Sequence, residues 1–108
     1  MEISIEKKNG WNIIYPAGRL DIHISQQLED TVEKVIGQKE TKIIFNLENV
    51  EYLSSSGLRV FISTMRKLKD LKGEMRICSI SETVAKIFRI VELESMFKIF
   101  PDETAAIS

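Results

Sequence analysis

A chain of 108 residues, 44% hydrophobic and 29% charged, has the make-up of a soluble globular protein and the length of one domain spanning 1–108. Its formal net charge of -1 gives no electrostatic footprint for nucleic acid or an anionic membrane surface. One Cys and one His exclude an internal disulfide and a cysteine-built metal site.

Ile3 and Ile5 alternate with polar residues, Asn9-Gly10 follows, and Trp11-Asn12-Ile13-Ile14-Tyr15 resumes the apolar run. Asn-Gly between two such runs signals a β-hairpin, because both residues accept the positive φ of a tight turn. Pro16 limits further pairing or sits at a bulge. Gly18-Arg19-Leu20-Asp21 reads as a turn into a helix whose apolar face is Ile24, Leu28, Val32, Val35 and Ile36. Ser25 is its expected cap, Glu29 and Asp30 fall in its first turn, and Gly37 closes it.

Ile43-Ile44-Phe45 with Leu47 is a near-continuous apolar strand of the kind covered on both faces. From Ser55 or Ser56 to Leu71, a helical stripe runs through Leu58, Phe61, Ile62, Met65, Leu68 and Leu71, with Val60 off it. Arg66, Lys67, Lys69 and Lys72 gather at its C-terminal end, where cations complement the dipole, and Gly73 stops it. Met75-Arg76-Ile77-Cys78 is a strand, and Ser81 caps a helix carrying Val84, Ile87, Phe88 and Val91. Phe97-Lys98-Ile99-Phe100 reads as a last short strand, and Asp102 opens a helical turn through Ala105 and Ala106. The alternation implies an α/β fold: a mixed β-sheet with an N-terminal antiparallel hairpin, βαβ crossovers and helices packed on the sheet. No apolar run is long enough to span a membrane, and Met1-Glu2-Ile3-Ser4 does not begin a signal peptide. With the lone Cys78, a reducing, cytoplasmic compartment is expected.

The stretch Asn46–Arg59 joins the central strand to the second helix and places three hydroxyls and a glycine, Ser54-Ser55-Ser56-Gly57, at the junction. Serine oxygen accepts from the free amides of a first helical turn. Those amides and the helix dipole also favour a phosphate. Binding sites in open α/β sheets form where strands end and helices begin, which places both the Asp21 turn and this junction at the same end. The plainer reading is a serine-rich cap.

Other chemistries are poorly served. A nucleophile elbow needs Gly-x-Ser-x-Gly, and Leu53 stands at its first glycine; the one base for a Ser55 hydrolase is His23. A phosphate-cradling loop would need more glycines and a Lys after Gly57. No cofactor is implied. Asp21 is a cap or turn residue, or an acid on a partner-facing rim; Cys78 and Trp11 read as packing residues, and the basic helix end as solvated.

Asn46-Leu47-x-x-Val50-x-Tyr52-Leu53-Ser54-Ser55-Ser56-Gly57-Leu58-Arg59-Val60 resembles the signature of STAS domains, specifically of bacterial anti-sigma factor antagonists. Gly18-Arg19-Leu20-Asp21 is similar to that family's Gly-Glu-Leu-Asp turn. Lys72-Gly73-Glu74-Met75, Cys78, Ile80-Ser81 and Met96-Phe97-Lys98-Ile99 also fall where similar residues would, so the resemblance covers essentially the whole chain.

The resemblance implies a phospho-switch with no catalysis of its own. Unphosphorylated, the protein would bind an anti-sigma factor with serine kinase activity, releasing sigma factor; the kinase would phosphorylate Ser55 and a serine phosphatase would reset it. Asp21, Ser54, Ser56, Gly57 and Arg59 would form the partner-binding surface. Two positions depart from the pattern: Ser54 replaces the motif's aspartate, and Arg19 the turn's glutamate. The alternative is a STAS docking subunit of a transport or stress-signalling assembly that is not phosphorylated.

Overall fold

Asn9 and Gly10, at φ 53° and 83°, turn strand β1 (Ser4–Lys8) back onto β2 (Trp11–Tyr15) in the computed structural model, which describes residues 3–108. Met1 and Glu2, part of the stretch read as no signal peptide, lie outside the described residues. The chain continues through β3 (Gly18–Leu20), α1 (Ile22–Gly37), β4 (Lys42–Asn46), β5 (Val50–Leu53) and α2 (Ser55–Asp70). It finishes with β6 (Glu74–Cys78), α3 (Glu82–Ile90), β7 (Ile99–Phe100) and α4 (Glu103–Ile107).

Five strands form one sheet in the order β1-β2-β4-β6-β7. The hairpin pair is antiparallel, with Ser4 opposite Tyr15 and Lys8 opposite Trp11, while every other neighbour is parallel. This is the expected mixed α/β sheet: hairpins join antiparallel neighbours, and crossover helices join parallel ones.

Alternation of side chains divides the sheet into two faces. Ile14, Ile43, Phe45, Met75 and Ile77 pack with Leu28, Val35, Phe61, Leu68, Val84 and Phe88 of the three long helices. Phe61 is the hub of an aromatic chain, 4.9 Å from Phe45 and 6.5 Å from Phe97 between ring centroids, both edge-on. On the other face Trp11, Ile13, Ile44 and Cys78 are buried with Ala106 of α4, and the Arg76 guanidinium lies 4.4 Å above the Trp11 ring. Burying each large apolar side chain contributes about 1.5–3 kcal/mol, so α4 matters more than its five residues suggest. The packing roles expected for Trp11 and Cys78 hold.

Four details differ from the sequence reading. Gly18–Leu20 is a strand rather than a turn, paired in parallel with Val50–Leu53 in a separate two-stranded sheet. Both strands are too short to carry a readable period, and each is completed only by the other. Asp21, not Ser25, caps α1: its carboxylate accepts from the Ile24 amide at 3.0 Å. Ser25 lies buried inside the helix, and Glu29 and Asp30 fall beyond the first turn, which holds no acid. Positive φ at the helix ends falls on Lys39 (64°) and Lys72 (60°), not on Gly37 or Gly73. Gly73 is required for another reason, since a Cβ there would overlap the Thr41 carbonyl oxygen. Finally, Val60 is buried, whereas Leu71 (50% exposed) and Val91 (43%) sit at helix C-caps, where the stripe has run out.

Candidate functional site

β3 and β5 follow β2 and β4 after short connections, so their ribbon extends beyond the carboxyl edge of the main sheet. Gly18 makes the bend possible: its φ is 79°, and its amide donates to the Asn49 carbonyl at 2.8 Å. Leu20 and Leu53 are register partners at the ends of the two strands. The next residues, Asp21 and Ser54, are the N-caps of α1 and α2. Two helices therefore begin side by side from one short parallel ribbon, and their positive dipole ends share a surface.

Ser54 fastens that junction. Its hydroxyl donates to the Leu20 carbonyl at 2.5 Å and accepts from the Gly57 amide at 3.4 Å; its own amide also donates to Leu20 at 3.2 Å. An ionised aspartate could reproduce the acceptor half of this arrangement but has no proton for Leu20. Gly57 is buried, and a Cβ added to it would lie 3.1 Å from the Leu20 Cβ, so close approach explains the glycine. Ser54 and Gly57 are thus turned inward.

Ser55 occupies the first helical position and is exposed, and no side-chain hydrogen bond engages it among the described residues. The first intrahelical bond runs from the Leu58 amide to the Ser54 carbonyl at 3.1 Å, which leaves the Ser55 and Ser56 amides ahead of the ladder. Ser56 and Arg59 line a shallow cleft of about 170 Å³ between α1 and α2, facing Ile22, Gln26 and Glu29. Asp21 is exposed on the adjoining helix start. His23 is also exposed, in the first turn of α1, and no hydrogen bond joins it to Ser55. The ribbon thus places Asp21 on the same edge as Ser54–Gly57, and α2 adds Arg59 one turn on.

Ile22 escaped the sequence reading, and Tyr52 and Arg19 entered it only as motif positions, without a place on the surface. Ile22 is 69% exposed directly after the α1 cap, and Tyr52 is 39% exposed on β5. The Arg19 guanidinium stacks 4.5 Å above the Tyr52 ring, an arrangement set by their register pairing across the ribbon. Ile22 carried a signal, being an apolar residue outside the Ile24–Leu28 stripe of its helix.

The STAS domain family profile matches residues 2–106. The chain is 28% identical over 102 residues to the anti-sigma F factor antagonist of Paenibacillus polymyxa, covering 94% of this chain and 85% of the relative. Among solved structures, the phosphorylated form of the Bacillus cell-fate determinant SpoIIAA superposes with a TM-score of 0.74 at 26% identity, over 96% of both chains. A Thermotoga maritima structure reaches 0.91 at 20% identity, covering 97% of this chain and 91% of its own, and supports the fold alone. The profile match, the mixed sheet and the paired helix starts agree: this chain belongs to the STAS domain family.

Proposed function

We propose that this protein is an anti-sigma factor antagonist controlled by phosphorylation of Ser55. Unmodified, it binds an anti-sigma factor with serine kinase activity and thereby frees a sigma factor; a protein serine phosphatase restores it. The observation that carries this reading is the exposed, uncommitted Ser55 hydroxyl at the first position of α2, beside the α1 cap at Asp21. Homologues bearing the antagonist name, and the existence of a phosphorylated form of SpoIIAA, support it. Asp21, Ser56 and Arg59 would supply the surrounding contact surface, with Ser54 and Gly57 setting its geometry. The circuit is cytoplasmic in this reading; among the described residues no helix is long and apolar enough to cross a membrane.

Magnitudes locate the switch at the interface rather than in the fold. A phosphate adds about -1.5 to -2 charges at neutral pH. At a helix N-terminus this charge is favourable by about 0.3–1 kcal/mol, so the modified domain stays folded. Burying the dianion against a partner without a counter-charge costs several kcal/mol, and about 2.8 kcal/mol already weakens binding a hundredfold.

A second reading, a docking subunit that is never phosphorylated, draws support from Ser54: the motif's acidic position is occupied by a structural tie to Leu20. Labelled ATP and a serine kinase of the anti-sigma type separate the two. The first reading expects incorporation in wild type and in Ser56→Ala, and none in Ser55→Ala, with all three binding the kinase when unmodified. Binding without incorporation in any form favours the docking subunit.

A further inference from the structure

At the far end of α2 lies a cleft of about 430 Å³, within the rough 300–1,000 Å³ range of small-molecule pockets. Its apolar lining is Met65, Leu68, Met75, Met96 and Phe97; Lys69, Lys72 and Lys98 stand around them with Glu74. Glu74 is already engaged, accepting from Arg76 Nε at 2.8 Å and from Lys98 Nζ at 3.1 Å. Lys69 and Lys72 make no ion pair among the described residues.

Cations at a helix C-terminus complement its dipole, which is worth about 0.3–1 kcal/mol and is reason enough for one such lysine. They are not needed to cap it. The Lys67, Leu68 and Lys69 carbonyls accept from the backbone amides of Leu71, Gly73 and Lys72 at 3.2, 2.7 and 3.1 Å. Both ammonium groups therefore keep their hydrogen-bonding capacity beside an apolar trough. Three of its five apolar walls are methionines, unbranched and polarisable, which conform to a flexible chain. The lining side chains of the floor offer no hydrogen-bonding group to a nucleobase or sugar. We propose that this cleft binds a linear alkyl carboxylate, its chain along the methionines and Phe97 and its carboxylate between Lys69 and Lys72.

The test uses the full chain labelled with ¹³C at the methionine methyls and titrated with dodecanoate below its micellar concentration. Dodecyltrimethylammonium and 1-dodecanol serve as controls of equal chain length. The expected result is a saturable shift of the Met65, Met75 and Met96 methyls with dodecanoate. Binding should be at least tenfold weaker for either control, and at least tenfold weaker in the Lys69→Glu, Lys72→Glu double variant, whose thermal melt should fall by several degrees at most and stay well above the titration temperature. Equal binding of the cationic amphiphile, unmoved methyls, or undiminished affinity in the double variant would overturn the proposal. So would concentration-dependent shifts of the same methyls without ligand, which would assign the cleft to a second copy of the chain.

Discussion

The Leu20 carbonyl accepts from Ser54 twice, from its amide at 3.2 Å and its hydroxyl at 2.5 Å, so the end of one strand is tied to the cap of the neighbouring helix. A third donor, the hydroxyl of Ser25 inside α1, approaches the same oxygen at 3.4 Å. The relative placement of the two helix starts thus rests on one backbone carbonyl and on the donor capacity of residue 54.

Ser54→Ala removes the hydroxyl half of the tie and the α2 cap, keeping the amide bond to Leu20, and is expected to cost about 1–2 kcal/mol in denaturant unfolding. Ser54→Asp retains the cap but turns a carboxylate toward the Leu20 carbonyl. We expect it to cost about 1 kcal/mol at neutral pH, although aspartate is ordinarily as good a cap as serine. A variant at least as stable as wild type would show that the tie contributes nothing.

The partner surface should respond to residues that leave the fold alone. Asp21→Asn keeps the cap on the Ile24 amide while removing the charge, and Ile22→Glu removes a 69% exposed apolar side chain. Each is expected to stay within about 0.5 kcal/mol of wild-type stability. Each should weaken binding to an anti-sigma partner tenfold or more, about 1.4 kcal/mol by titration calorimetry. Lys69→Glu, near the other end of α2, should leave that affinity unchanged. The reverse pattern would move the interface to the basic end of the helix.

Two glycines should answer oppositely to alanine. Gly73→Ala drives a Cβ into the Thr41 carbonyl oxygen, and backbone must move; the expected loss is about 3 kcal/mol. Gly37→Ala meets nothing within 4 Å at the last residue of α1 and should gain about 0.5 kcal/mol through lower unfolded-state entropy. Paired thermal melts decide both.

Acid should act through Glu103. Its carboxylate accepts from Lys8 Nζ at 2.7 Å, Tyr15 Oη at 2.6 Å and Asn46 Nδ2 at 3.0 Å. The Lys8 hydrogen bond first, then Tyr15, holds its pKa below the usual 4.5 against the opposing effect of burial. Burial, with Glu103 and Glu6 beside the phenol, pushes the Tyr15 pKa up, so Tyr15 remains a donor at neutral pH. A depressed carboxylate pKa gives stability that is complete above the unfolded value and lost as pH falls through the folded one. Glu103→Gln should therefore lower the melting temperature at pH 7 and flatten its decline below about pH 4.5. An unchanged acid limb would mean other carboxylates carry it.

The long helices, the hairpin and the central strands were legible because each has a period or a turn signal of its own. Asn9-Gly10 declared its turn, and Leu58 through Leu68 declared a buried face. The β3–β5 ribbon was not legible, because neither Gly18–Leu20 nor Val50–Leu53 has meaning without the other. That loss led to the misplaced cap: with Leu20 unrecognised as a strand end, Ser25 looked as suitable as Asp21. In the candidate site, the Ser54–Gly57 motif marked the junction. Its division into inward-facing Ser54 and Gly57 and outward-facing Ser55 depended on where Leu20 lies in space.

The clasp of α4 on the hairpin also fixes a timetable for the newborn chain. Glu103 bonds Lys8 and Tyr15 across 95 and 88 residues of sequence. Trp11 and Ile13 leave the ribosome early, yet the helix that shields their face follows only after nearly all the intervening residues have been added. At about 5–20 residues per second, that surface stays wet for roughly 5–20 s. Through that interval Trp11 and Ile13 lack the cover of α4, and for most of it also their sheet neighbours Ile44 and Cys78, which leaves them open to holdase chaperones.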